Sequence, residues 1–250
     1  MISRRSFHWG VFGGALATQS RPVAAQEDQE GSDFLTERGF VGPDSPLSAV
    51  GPRQARATEV QRAFQLMMNA PNGNDISPLE VAEYFRVLED KNEDGELYRE
   101  EWKSERANPV VTGFFTLTNL LPNKGDQTAW CAAFANWCLA AANRNVSFSA
   151  AAQSFHRAHK NFEVVTGEPK VGDVAVFSRL VDGSRDTYGH VGFLAKAYSA
   201  DEGGVHIIGG NQQREDEKPS TGIVSRIFIS FEHPTLQILS FKKPTMFMFG

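Results

Sequence analysis

The chain has 250 residues, of which 41% are hydrophobic, 22% charged and 11% aromatic, with only two cysteines. That composition fills a globular core and excludes collagen-like, disordered and disulfide-stapled classes. The formal net charge of −5 comes without a long Lys/Arg block, so no nucleic-acid partner is expected, and no apolar run reaches the ~20 residues of a membrane-spanning helix.

Residues 1–25 have the three parts of an export leader: Arg4 and Arg5, a short weakly apolar stretch from Trp9 to Ala17, then Pro22, Val23, Ala24 and Ala25. The order Ser3-Arg4-Arg5-Ser6-Phe7 resembles the bacterial twin-arginine signal, whose route carries folded proteins across the inner membrane. Small residues at Val23 and Ala25 predict cleavage after Ala25 and a periplasmic or secreted mature protein. The other reading is an unstructured terminus with two adjacent arginines by chance. Residues 26–53, rich in Glu, Asp, Gly, Pro and Ser, read as a flexible linker.

Residues 54–108 read as a small helical module. Val60, Phe64, Met67 and Met68 recur at helical spacing, as do Leu79, Val81, Ala82, Tyr84, Phe85 and Leu88, with Ser77 and Pro78 as cap and first-turn proline of the second helix. Between these helices and the next one, residues 109–125, with Pro109 and Pro122, read as a connector and mark the expected domain boundary. Within the module, residues 90–101 read DKNEDGELYREE and fit the twelve-residue EF-hand template. Asp90, Asn92 and Asp94 supply side-chain oxygens, Gly95 allows the sharp turn, Glu96 offers its carbonyl, Leu97 points inward and Glu101 closes the cage with both oxygens. The segment WKSERAN can begin the following helix, which predicts a structural Ca²⁺ loop. The plainer reading is a solvated acidic turn. The preceding segment, Asn69 to Glu80, lacks most ligand oxygens and reads as a degenerate partner loop that does not bind metal.

Residues 126–250 contain the helical stretch TAWCAAFANWCLAAANR followed by apolar segments bounded by Gly, Pro, Asp and Ser: VGDVAVF, HVGFLAKAY, GVHIIGG, IVSRIFISF and LQILSF. A helix followed by short strands argues for an α+β domain with an antiparallel sheet. Cys131 and Cys138, seven positions apart on one helix, stand ~10 Å apart, beyond the ~7 Å limit of a disulfide. Cys138, among Phe134, Trp137, Leu139 and Ala142, reads as core filling, whereas Cys131 opens the helix, where free N–H groups stabilise a thiolate and an oxyanion. Of the six histidines, His190 follows Gly189 at the head of a strand and is the candidate base.

The stretches DQTAWCAAFANWCLAAA, VGDVAVFSR, GHVGFL and IIGGNQ, in that order, resemble the CHAP family of cysteine amidohydrolases and peptidases over about half the chain. The resemblance implies a papain-like core, with the nucleophile's helix packed on an antiparallel sheet, and cleavage of amide bonds in bacterial peptidoglycan stem peptides. It implies Cys131 as nucleophile, His190 as general base and Asn211 as the residue that orients the imidazole. Two positions depart from the family pattern. Gly209 and Gly210 stand where many members carry a Glu, and Trp130 stands where several carry a Gln, which leaves Gln127 and Asp126 as the nearest polar candidates for an oxyanion donor. Asn211 also reads as a turn residue after two glycines. Retention of the fold with loss of turnover, as a calcium-dependent cell-wall binding protein, is the alternative function.

Overall fold

The computed structural model describes residues 54–103, 105–158, 161–212 and 222–247. The expected leader, 1–25, and linker, 26–53, lie outside the described residues. Helix α1 spans Ala57–Met68 and α2 spans Pro78–Arg86. The Ser77 hydroxyl accepts the Glu80 N–H at 3.2 Å while the Glu80 carboxylate accepts the Ser77 N–H at 2.8 Å, a reciprocal cap that fixes where α2 begins. On α1 the buried face is Glu59, Ala63, Leu66 and Met67, one step round from the expected stripe, with Met68 exposed. The shift has an electrostatic reason: the buried Glu59 carboxylate accepts the Arg106 Nε–H through both oxygens at 3.1 Å.

A short helix α3 (Pro109–Gly113) leads through a 3₁₀ turn to the loop before α4 (Cys131–Ala141), and α5 (Ser154–Arg157) is a single turn. Six strands follow: β1 (Phe162–Val164), β2 (Val174–Val181), β3 (Ser184–Leu194), β4 (Gly204–Gln212), β5 (Ile223–Ser230) and β6 (Leu236–Pro244). They pair antiparallel in the order β1-β6-β2-β3-β4-β5, so the α+β class is observed. Strand alternation divides the core. Val174, Val176, Val191, Phe193 and Ile208 join Phe134 and Cys138 of α4 in one cluster, while Ala175, Phe177, Leu194, Val205, Ile207 and Ile229 form another. β2 and β3 are longer than the apolar runs suggest because Asp182 and Gly183, both at positive φ, make a tight hairpin whose arms are exposed.

The expected boundary at 109–125 is not a break in packing. Val110, Val111, Phe114 and Phe115 are buried in the same cluster as Ala63, Phe85, Trp130 and Phe134, and the Phe85 ring meets Phe114 edge-on at 5.1 Å and Trp137 at 5.3 Å. Pro109 is the first-turn proline of α3, capped by Asn108, whose Oδ1 accepts the Val110 N–H at 2.9 Å. The Asn108 amide N–H₂ meanwhile donates to the carbonyls of Leu97, Tyr98 and Glu100. Asp126, considered above as an oxyanion donor, is a structural acceptor instead: its buried carboxylate takes the N–H groups of Trp102 at 2.9 Å and Asn108 at 2.8 Å.

The EF-hand expectation is corrected in its second flanking helix, and several of the expected ligand groups are engaged with protein partners. WKSERAN does not form the second helix: among the described residues no helix lies between Arg86 and Pro109. Instead the Arg99 carbonyl accepts the Val224 N–H at 2.9 Å and the Glu101 N–H donates to the Gly222 carbonyl at 2.7 Å, so this stretch covers the outer edge of β5. Asp90 is paired with Arg62 and Asp94 with Arg106. The Asn92 Oδ1 accepts the N–H groups of Asp94 and Glu96, and the Glu96 carbonyl expected to ligate metal accepts the Asn92 N–H at 2.9 Å. Glu101 is tied through its backbone to Gly222, and among the described residues no group of three or more His, Cys, Asp or Glu is placed to hold a metal ion. In this arrangement the residues do not fit a calcium cage.

Candidate active site

α4 forms because its apolar residues cover nearly the whole surface of the helix, which suits a helix enclosed between α2, the 3₁₀ turn and the sheet. No side chain caps its start at Trp130, so the first-turn N–H groups are not consumed by a capping oxygen. Cys131 is the first residue of α4, and both cysteines are free thiols. The Cys131 thiol meets the backbone N–H groups of Ala132 and Val191, which favour the thiolate, but burial dominates and pushes its pKa up to about 11. Cys138, enclosed in the core, is shifted upward by the same cause.

The contact with Val191 matters because Val191 follows His190 on β3. Pairing between β3 and β4 runs through Phe193 with Ile208 and Leu194 with Ile207 and extends no further toward His190; alternation turns Val191 into the α4 cluster and His190 toward Phe177, and His190 is not among the residues lining the cavity beside Cys131. His190 stands opposite Phe177 of β2, with ring centroids 6.3 Å apart. No hydrogen bond joins the thiol to the imidazole in this resting arrangement. Desolvation pushes the His190 pKa down to about 4, so near neutral pH the ring is uncharged and has a lone pair to accept a proton.

The side chain hydrogen-bonded to this ring is that of Gln212, the neighbour of the expected Asn211. With its amide turned to satisfy every neighbour, the Gln212 Oε1 accepts the His190 Nε2–H at 3.0 Å and the Gly209 N–H at 3.3 Å, while its N–H₂ donates to the Ser225 Oγ at 3.0 Å and carbonyl at 2.6 Å. That arrangement fixes the proton on Nε2 and leaves Nδ1 as the basic nitrogen. Asn211 has φ +57°, in the left-handed region, and its Oδ1 lies toward Gly222. It works as the bulge residue between β4 and β5, and by taking the irregular position it turns Gln212 onto the ring. The glycine pair has a physical reason as well. A Cβ on Gly209 would lie 2.8 Å from the Gln212 amide oxygen that faces His190 and 3.3 Å from the His190 Nε2, and one on Gly210 would overlap the Trp130 indole. At Gly210 the indole leaves no room for a side chain, whereas at Gly209 one would displace the Gln212 amide from the ring.

Cys131 opens onto a cavity of about 540 Å³ whose walls include Thr128, Ala129, Ala150, Gln153, Tyr188 and Gly189. Thr128 contributes to that wall, and its buried hydroxyl has no hydrogen-bond partner among the described residues. Gln127, the other oxyanion candidate, is exposed and is not part of the wall. Gln212 was hidden in the sequence by one position: the signal was the left-handed propensity of an Asn after two glycines, which displaces the next side chain.

The CHAP domain family model matches residues 123–211, a span that contains Cys131, His190 and Asn211 and stops one residue short of Gln212. Residues 123–211 are thus similar to the CHAP domain, and the α+β fold with a six-stranded antiparallel sheet is consistent with a papain-like core. No curated protein and no solved structure matches the chain.

Proposed function

We propose that this protein is an exported cysteine hydrolase that cleaves amide or peptide bonds in the stem peptides of bacterial peptidoglycan. The reading is carried by one observation. The thiol that starts α4 lines the cavity and meets the N–H of the residue after His190, and His190 is held by Gln212 in the tautomer a base requires. The CHAP match supports amide chemistry on cell wall, and the paired arginines Arg4 and Arg5 of the leader support export.

In this mechanism the substrate carbonyl enters the cavity and the Cys131 thiol passes its proton to the His190 Nδ1 as sulfur attacks carbon. The uncapped N–H groups of the first turn of α4 stabilise the oxyanion. The imidazolium, steadied by Gln212, returns the proton to the leaving nitrogen as the C–N bond breaks. Water, deprotonated by the same ring, then cleaves the thioester and restores the thiol. Because the pair is neutral at rest, proton transfer belongs to the substrate-bound state.

The same neutrality, with no thiol–imidazole hydrogen bond, favours the second reading: a CHAP-type domain that binds cell wall without turnover. Digestion of purified peptidoglycan followed by mass spectrometry of the soluble products separates the two. The parent protein should release stem-peptide fragments whose masses identify the bond cut, and Cys131→Ala should release none. Equal release by that variant removes Cys131 from the chemistry, and no release by the parent favours the binding protein.

A further inference from the structure

We infer that the cavity beside Cys131 selects substrates carrying a free carboxylate, recognised by Arg157. This deepens the hydrolase reading and rests on it only for the location of the reacting bond. Arg157 is the last residue of α5 and the single charged side chain among the described residues lining the cavity. No carboxylate pairs with it among the described residues, whereas Arg62, Arg106 and Arg179 all have acidic partners.

Its position is built from the interior outward. Gln153 is buried, and its amide N–H₂ is directed at the Ser178 Oγ at 3.2 Å, the Tyr188 carbonyl at 3.0 Å and the Asp186 carbonyl. With its nitrogen committed to the β2–β3 hairpin, Gln153 has only Oε1 to offer, and that oxygen accepts an Arg157 Nη2–H at 3.2 Å. A single bond to a neutral acceptor steers the guanidinium while leaving its other N–H groups and its full charge unspent.

The rest of the wall is neutral and mostly small: Ala129, Ser149, Ala150, Ala151, Ala152 and Gly189. One guanidinium matches one monoanionic carboxylate, which it can grip through two parallel N–H groups. A phosphate dianion would call for more positive charge than this wall supplies. The occupant is therefore a peptide with a free carboxylate close to the scissile amide, held so that its carbonyl faces the start of α4.

The test uses soluble peptide fragments prepared from purified cell wall, compared with the same fragments after their carboxyl groups are converted to methylamides. Binding is measured by NMR on the Cys131→Ala protein, which removes turnover, and cleavage on the parent. The native fragments should bind about two- to fivefold more tightly than the methylamides, the size expected of an ion pair at an exposed guanidinium. In the Cys131→Ala background, Arg157→Gln should abolish the difference and Arg157→Lys should keep part of it, with unchanged melting temperatures showing that both variants fold. Equal binding of the two forms, no binding of either, or a preference that survives Arg157→Gln overturns the inference. Cleavage without preference would leave the hydrolase reading standing and remove this one. Preference without cleavage would do the reverse.

Discussion

Gln212→Ala removes the one side chain hydrogen-bonded to the His190 ring among the described residues. The change strands the His190 Nε2–H, the Gly209 N–H and the Ser225 hydroxyl in a site where Gln212 itself is only 3% exposed. An unsatisfied buried group costs about 1–3 kcal/mol. Admission of a water into the vacated space offsets part of the sum, so the net loss should be about 2–3 kcal/mol, or roughly 4–12 °C in Tm for a domain of this size. The catalytic effect should exceed the structural one. Without an acceptor on Nε2 the ring samples both tautomers and other orientations, and cell-wall digestion should slow by about 10²–10⁴, the range that a positioned base supplies. Gln212→Glu keeps an acceptor at the same place and should rescue most of the rate. Its added negative charge should raise the His190 pKa, moving the acid limb of the pH–rate profile upward. Asn211→Gly suits the positive φ and should leave the rate within about twofold. Nitrogen-15 NMR of the His190 ring gives a readout independent of turnover: a single Nε2–H tautomer in the parent, a mixture in Gln212→Ala. If Asn211→Gly silences the protein while Gln212→Ala retains both rate and tautomer, the orienting residue has been assigned wrongly.

Three further expectations concern stability and titration. Asn108→Ala removes the cap of α3 and leaves three carbonyls without their shared donor, so thermal unfolding should register a loss of about 2–4 kcal/mol; a loss under about 0.5 would mean that the link between the helical segment and the rest is incidental. The Cys131 thiol, raised to about 11, should alkylate slowly with iodoacetamide at pH 7 and faster up to pH 11, and a rate already level by pH 8 would contradict the burial argument. By linkage the folded chain keeps this proton longer than the unfolded one, so the thiol's contribution to stability is present below pH 9 and is lost as pH rises from 9 toward 11. Millimolar Ca²⁺ or a chelator should leave Tm unchanged, because Arg62 and Arg106 already neutralise Asp90 and Asp94; a calcium-dependent rise would show that the loop exchanges its arginines for the ion.

What could be read from the sequence was what depends on local pattern. The helix of Cys131 and the strands after residue 170 follow from apolar runs bounded by turn residues, and Ser77-Pro78 announced α2. What could not be read depended on partners distant in the chain. The twelve residues from Asp90 carry EF-hand spacing, yet Arg62 and Arg106 take two of the carboxylates, and Arg62 is 28 positions away. Pro109 and Pro122 look like linker punctuation, but Val110, Val111, Phe114 and Phe115 between them are core residues. The side chain that meets His190 lies one residue beyond the expected Asn211 because a left-handed Asn changes which side chain faces the ring, and neither periodicity nor composition records that turn.

Intact-protein mass spectrometry during brief incubation with soluble stem-peptide fragments tests most directly whether sulfur forms a covalent bond to an acyl group. A transient adduct with the mass of the acyl fragment, mapped to the peptide containing Cys131 and absent from Cys131→Ala, is the predicted result. Fragment cleavage with no such adduct, or an adduct that persists in the variant, would contradict it.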